Sequence, residues 1–147
     1  MAGEDIQAQL NYELAVYREQ ITMLRRETER VSLTTIDLAN ALRTVEAFKE
    51  ELALIPIGGG ALVKAHINDL NVLLPIGAGY LVNMKREYAI IELTRRIDST
   101  KKAVEKLTEE FNKINSKFRE VSGQLEMVDA QSRISQRVDD NTREDYL

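Results

Sequence analysis

The chain has no cysteine, no tryptophan, one histidine, two prolines and only 5% aromatic residues. Without cysteine there can be no disulfide framework, no thiol nucleophile and no cysteine-ligated metal. The lone His66 has no second imidazole with which to build a metal site or a nucleophile relay, and it reads as a solvated or interface side chain. Adjacent acids such as Glu50-Glu51 and Glu109-Glu110 lie in helical text, where paired carboxylates are ordinary surface. No catalytic residue, cofactor site or metal site is assigned, and the chain is not read as an enzyme. No apolar run approaches the ~18 residues of a membrane span, and the acidic start is unlike a signal peptide, so a soluble cytoplasmic protein is expected, without a membrane partner. A net charge of −4 and a pI near 5.2 also lack the basic excess that nucleic-acid binding uses.

What is present is charge, at 30%, beside 44% hydrophobic residues in a chain of 147. That mixture is too polar for one large core and too apolar for disorder, but it suits long helices that bury a narrow stripe. From Leu10, steps of alternating threes and fours meet Leu14, Tyr17, Ile21, Leu24, Thr28, Val31, Thr35, Leu38, Leu42, Val45, Lys49 and Leu52. Only Thr28, Thr35 and Lys49 interrupt the apolar series, so residues 1–53 read as a coiled-coil helix of about six heptads. At ~1.5 Å per residue, such a helix would run roughly 70 Å. A second series, Ile90, Leu93, Ile97, Thr100, Val104, Leu107, Phe111, Ile114, Phe118, Val121, Leu125 and Val128, is broken only by Thr100 and defines a second arm over 87–138. Residues 139–147 are polar and expected to be a flexible tail.

Between the arms, residues 54–86 hold both prolines, five of the seven glycines and almost no charge. A motif is written there twice: Leu54-Ile55-Pro56-Ile57-Gly58-Gly59-Gly60 and, nineteen positions later, Leu73-Leu74-Pro75-Ile76-Gly77-Ala78-Gly79. Short aliphatic runs around glycine turns predict two β-hairpins, with Asn68-Asp69 turning between them. By alternation Ala61, Val63, Ala65 and Ile67 share one face and Leu62, Lys64 and His66 the other; Tyr80, Val82 and Met84 stand likewise against Leu81, Asn83 and Lys85. One face is expected to bury and the other to stay wet. The prolines cannot donate to a ladder and should face an edge. Neither glycine run ends in the Gly-Lys-Ser/Thr that opens a phosphate-binding helix, so both are read as turns. Two isolated hairpins are marginal in water, and joining with hairpins of other subunits would cover an apolar face and remove the edges.

If the hairpins return the chain to its starting side, the arms pair antiparallel, with Leu52 opposite about residue 87 and Leu10 opposite about residue 129. The fold expected is mainly α with a small β region: a long antiparallel two-helix coiled coil joined by two β-hairpins that assemble into an oligomeric β-barrel.

This order of helix, two Pro-Ile-Gly hairpins and helix resembles the prefoldin α class. The likeness is carried by Leu54-Ile55-Pro56-Ile57-Gly58-Gly59-Gly60 with Leu62-Val63-Lys64-Ala65, and by Leu74-Pro75-Ile76-Gly77-Ala78-Gly79-Tyr80. Gly59, where Ala is usual, and Pro75 depart from the family pattern. The resemblance implies an ATP-independent cytosolic co-chaperone, built as an α2β4 hexamer with β subunits, that holds unfolded client proteins at the coiled-coil tips and passes them to a group II chaperonin. It implies assembly residues Leu54, Ile55, Pro56, Ile57, Val63, Ala65, Ile67, Val72, Leu74, Ile76, Tyr80, Val82 and Met84. Position and polarity alone suggest Ile6, Leu10, Tyr12, Val16, Met127, Ile134 and Val138 as client contacts. The alternative reading is a coiled-coil scaffold or filament former assembled through the same hairpins.

Overall fold

The computed structural model describes residues 2–144. The element order is α1 (Ala2–Ala47), β1 (Leu52–Gly58), β2 (Ala61–His66), β3 (Val72–Gly77), β4 (Tyr80–Met84) and α2 (Arg86–Glu144). The strands form two separate antiparallel hairpins, β1-β2 and β3-β4. Neither helix contains proline, and both keep the apolar stripe of the heptad pattern.

α1 stops at Ala47, so the expectation of a helix to residue 53 is corrected. Lys49 and Leu52 satisfy the heptad count, but Leu52 pairs with His66 across the first hairpin, and strand pairing takes the residue. The helix end is fixed from outside. Phe48 N–H donates to Val45 O in a tightened last turn, and the last turn has no basic residue of its own. Arg86, the first residue of α2, supplies the cation: its Nε donates to Val45 O at 3.0 Å and its terminal nitrogen donates to Glu46 O. At the other end α2 runs to Glu144, so residues 139–144 of the expected tail are helical and 145–147 lie outside the described residues. No glycine or proline follows Gly123 to stop it.

The chain divides into two compact units: a hairpin unit, Val31–Ala103, and a terminal unit made of Met1–Arg30 with Val104–Leu147. In the hairpin unit Val45, Leu74, Ala89 and Leu93 form a buried cluster, against which Leu38, Leu42, Val72, Met84 and Ile90 pack. The two residues that interrupt the apolar series within the helices of this unit are partners. Thr35 and Thr100 place their hydroxyls 2.8 Å apart across the helix pair. A polar pair at facing seam positions penalises any register that would set either hydroxyl against an aliphatic side chain.

In the terminal unit Leu10, Leu14 and Val121 are buried, with Tyr17, Phe118, Leu125 and Val128 around them. Gln7 Nε2 donates to Asp129 Oδ1 at 2.5 Å, and the guanidinium groups of Arg18 and Arg25 lie over the rings of Phe118 and Phe111, 5.7 and 5.5 Å from their centroids. These pairs set Leu10 across from about residue 126, one turn away from the 129 expected by stepping equally along both helices from 52 and 87. α2, with 59 residues, is longer than α1, with 46. Ala2 stands across from about residue 134, so roughly the last ten described residues of α2, nearly three turns at 3.6 residues each, have no partner helix among the described residues.

Candidate functional site

The absence of buried polar machinery among the described residues moves attention to exposed apolar surface. Among the described residues no side-chain nitrogen or oxygen is buried without a partner, no cluster of metal-ligating side chains occurs, and no helix is long and apolar enough to cross a membrane.

Two candidate surfaces remain. The first is the hairpin pair. In β1-β2 the register runs Leu52↔His66, Ala53↔Ala65, Leu54↔Lys64, Ile55↔Val63 and Pro56↔Leu62, then slips by a bulge so that Gly58 faces Ala61 and Ile57 has no residue opposite. Ile67 N–H donates to Glu51 O, which marks 51/67 as a hydrogen-bonded pair, and 53/65 and 55/63 follow by alternation. Pro56 therefore falls on a non-bonded pair, with its missing N–H toward the open edge. The second hairpin repeats the register and the bulge, with Pro75↔Leu81 and Gly77↔Tyr80. Each bulge leads into a two-residue turn with positive φ at both positions: Gly59 (59°) and Gly60 (78°) in one, Ala78 (49°) and Gly79 (77°) in the other. That is the type I′ geometry that matches strand twist, and Ala78 occupies it with a Cβ.

The two copies are used differently. In the second hairpin one face is covered by the chain's own helices: Leu74 is 6% exposed within the buried cluster, with Val72 and Met84 packed beside it and Val82 half-buried. The expectation that Leu74 faces another subunit is corrected, because the ends of α1 and α2 already occupy it; Val72 and Met84 are largely committed in the same way. The equivalent face of the first hairpin carries Ala53, Ile55, Val63 and Ala65, and no helix covers it; Ile55 and Val63 are exposed. Leu54, Ile57, Ile76 and Tyr80 are also exposed, Ile57 at 66%, as is Pro56; Ala65 and Ile67 are half-buried.

Reading by alternation assigned Leu62 and Leu81 to the wet side with Lys64, His66 and Asn83; Leu73, which pairs with Asn83, lies on that side too, and all three are exposed aliphatics. The signal was present, since aliphatic runs without polar alternation mark strands destined for burial on both faces. Tyr88 and Ile91, on the outer side of the first turns of α2, extend this uncovered apolar surface. Between Ile91 and Leu93, Glu92 accepts from Arg95 (2.7 Å) and Arg96 (2.8 Å), and these guanidinium hydrogen bonds hold its carboxyl down to about 2.

The second surface is in the terminal unit. Ile6, Tyr12, Met127, Ile134 and Val138 are exposed, Tyr12 and Met127 by more than 70%. Val16 is half-buried. Leu10, expected as a client contact as well as a seam residue, serves only the seam: it is buried against Leu14 and Val121. Met127 lines an open groove of about 500 Å³ with Gly3, Gln7, Val128 and Ser132, while Ile134 and Val138 lie on or beside the unpartnered end of α2.

In the hairpin unit the exposed apolar surface lies on two open-edged hairpins, and in the terminal unit it lies on the paired helices. The family model for a prefoldin subunit matches residues 17–131, and the chain belongs to the prefoldin family. It is 32% identical over 130 residues to the prefoldin subunit alpha of Pyrobaculum islandicum, covering 87% of this chain and 98% of that one. It is 31% identical over 104 residues to the alpha subunit of Methanococcus aeolicus, covering 69% and 71% of the two chains. Among solved structures, a filamentous prefoldin of Methanocaldococcus jannaschii matches with a TM-score of 0.65 at 20% identity, over 78% of this chain and 98% of that one. The prefoldin beta subunit of Thermococcus strain KS-1 matches with 0.59 at 18%, over 84% and 90%. These two share the fold. Membership in the family supports a chaperone role in general terms.

Proposed function

We propose that the chain is an alpha-type subunit of a cytosolic α2β4 prefoldin hexamer that binds unfolded proteins without ATP and passes them to a group II chaperonin. The observation that carries this reading is the division of exposed apolar surface between the hairpins and the chain's helical ends. The hairpins supply assembly through Leu54, Ile55, Ile57, Val63, Ile76 and Tyr80, joined by Leu62, Leu73 and Leu81 on the opposite faces. Closing such edges with hairpins of other subunits into a barrel would satisfy the open ladder groups and cover both faces. Ile6, Tyr12, Met127, Ile134 and Val138 serve client binding. Each such contact is weak, and several arms around one client turn weak contacts into avidity.

The test is substitution of Ile6, Tyr12, Met127, Ile134 and Val138 by Ser in the complex with a beta-type subunit. Assembly mass should stay that of the hexamer, while suppression of aggregation of a chemically unfolded client is lost. Full suppression by this variant would refute the assignment. A second reading, a filament-forming scaffold, draws on the open edges of both hairpins. Co-expression separates the two: long filaments formed by the chain alone, with no uptake of a beta-type subunit, would favour the scaffold.

A further inference from the structure

In the terminal unit, several turns from the start of α1, Met23 and Leu24 of α1 and Leu107 and Ile114 of α2 floor an open groove of about 760 Å³. Met23 lies off the seam and is 62% exposed there, so the helix pairing does not use it. The rim is basic. Arg26, Arg30, Lys113 and Lys117 stand around the floor against two acids, Glu27 and Glu110. Glu27 is already engaged, since Arg30 donates to its two oxygens at 2.5 and 3.1 Å, a pairing that lowers its carboxyl below the ordinary carboxylate range. Arg26, Lys113 and Lys117 make no ion pair among the described residues, which leaves three cations facing Glu110 alone.

A positive rim on a chain of net charge −4 is a local inversion of sign, and charge of this kind selects partners and steers their approach. The groove beside Met127 makes the contrast. It is lined by Gly3, Glu4, Gln7, Gln131 and serines, so its one charged side chain is an acid and it has no cation.

We propose that the basic groove docks an acidic amphipathic segment of a partner polypeptide. One or two bulky apolar side chains lie over Met23 and Ile114, and flanking Asp or Glu residues face Arg26, Lys113 and Lys117. Seven residues separate Leu107 from Ile114, so the floor is about 10 Å long at 1.5 Å per residue, room for two turns of a docked helix. An acyl chain would need enclosure, and this groove is open to solvent along its length. The unbranched Met23 side chain adapts to differing apolar partners. This inference stands apart from the client-binding surface, which uses other residues.

The test is fluorescence polarisation of the full chain with a labelled helical peptide in which Leu pairs alternate with Glu pairs. Binding is expected, weakening as salt rises, and lost when Lys replaces Glu or Ser replaces Leu in the peptide. Lys113→Glu with Lys117→Glu should weaken it by about tenfold or more, and Lys113→Gln with Lys117→Gln by a smaller factor. The Gln pair keeps the test decisive if circular dichroism shows that charge reversal disturbs α2. Equal binding of the Lys-substituted peptide, unchanged affinity in both lysine variants, or loss in Met127→Ser instead would overturn the proposal. Uptake of decanoate without binding of the peptide would also overturn it.

Discussion

Replacing Arg86 by Ala tests whether α1 is ended from outside. The guanidinium donates to Val45 O at 3.0 Å and to Glu46 O, the last carbonyls of a helix whose final turn has no cation of its own. A hydrogen bond from a charged donor contributes about 1.5–3 kcal/mol when it is sheltered. Two features reduce the figure here. Arg86 is only half-buried, and Val45 O also accepts from Phe48 N–H at 3.3 Å, so it is not orphaned when the guanidinium leaves. The expected loss is therefore about 1–2 kcal/mol for both bonds together. Arg86→Lys keeps a positive charge near the helix end, which contributes about 0.3–1 kcal/mol, but one ammonium cannot span two carbonyls as the planar fork does. It should fall between the parent and Ala. Urea unfolding followed by circular dichroism gives the magnitude. Amide hydrogen exchange gives the place: protection should fall at the end of α1 and the root of β1 before it falls in the terminal unit. An Ala variant within about 0.5 kcal/mol of the parent, the range of an ordinary surface change, would refute the capping role. Lys equal to Arg would reduce it to charge alone.

The turns and hairpin faces give two further expectations. Ala78→Gly relieves a left-handed residue at φ 49°, a strain of about 1 kcal/mol, partly offset by greater freedom in the unfolded chain. A net gain of about 0.5 kcal/mol should appear as slower exchange of the β3-β4 amides, and Gly59→Ala should show the reverse in β1-β2, where nothing lies within 4 Å of the added Cβ. Leu74→Ala should destabilise the single chain by about 2–5 kcal/mol as a buried truncation, whereas Leu54→Ala, with its side chain 60% exposed, should stay within about 0.5 kcal/mol. In complexes with a beta-type subunit Leu54→Ala is expected to lower the yield of hexamer by native mass measurement; a stable, fully assembled Leu54→Ala complex would count against the assembly surface.

The two-helix, two-hairpin fold was legible because its punctuation is written twice: Pro-Ile-Gly at 56–58 and again at 75–77, between breaker-free heptads. The end of α1 was not legible, since Lys49 and Leu52 fit the heptad count and only the pairing of Leu52 with His66 removes them from the helix. Thr35 and Thr100 looked like separate weaknesses in two lists; their meeting needs the register, which periodicity within one helix cannot supply. The exposed ends of the arms were marked by Tyr12, Met127, Ile134 and Val138, but Leu10 met the same criterion of position and polarity and is buried. Local pattern cannot tell an apolar residue facing its partner helix from one turned away from it. The basic groove was illegible for a related reason: Arg26 and Lys113 are distant in sequence, and each reads alone as solvated helix surface.

The duplicated hairpin carries a consequence for how the two copies can vary over evolutionary time. Val72, Leu74 and Met84 answer to Val45, Ala89 and Leu93 of the same polypeptide, so a change in one can be compensated by a change in the same gene. Ala53, Ile55, Val63 and Ala65 occupy the matching positions outside that buried cluster, and in the proposed assembly with beta-type subunits their compensating changes would arise in another subunit's gene. Two segments that began as one text are thus held by different correspondents. Across many relatives, the second copy should covary with its own arms and the first with the sequence of another subunit.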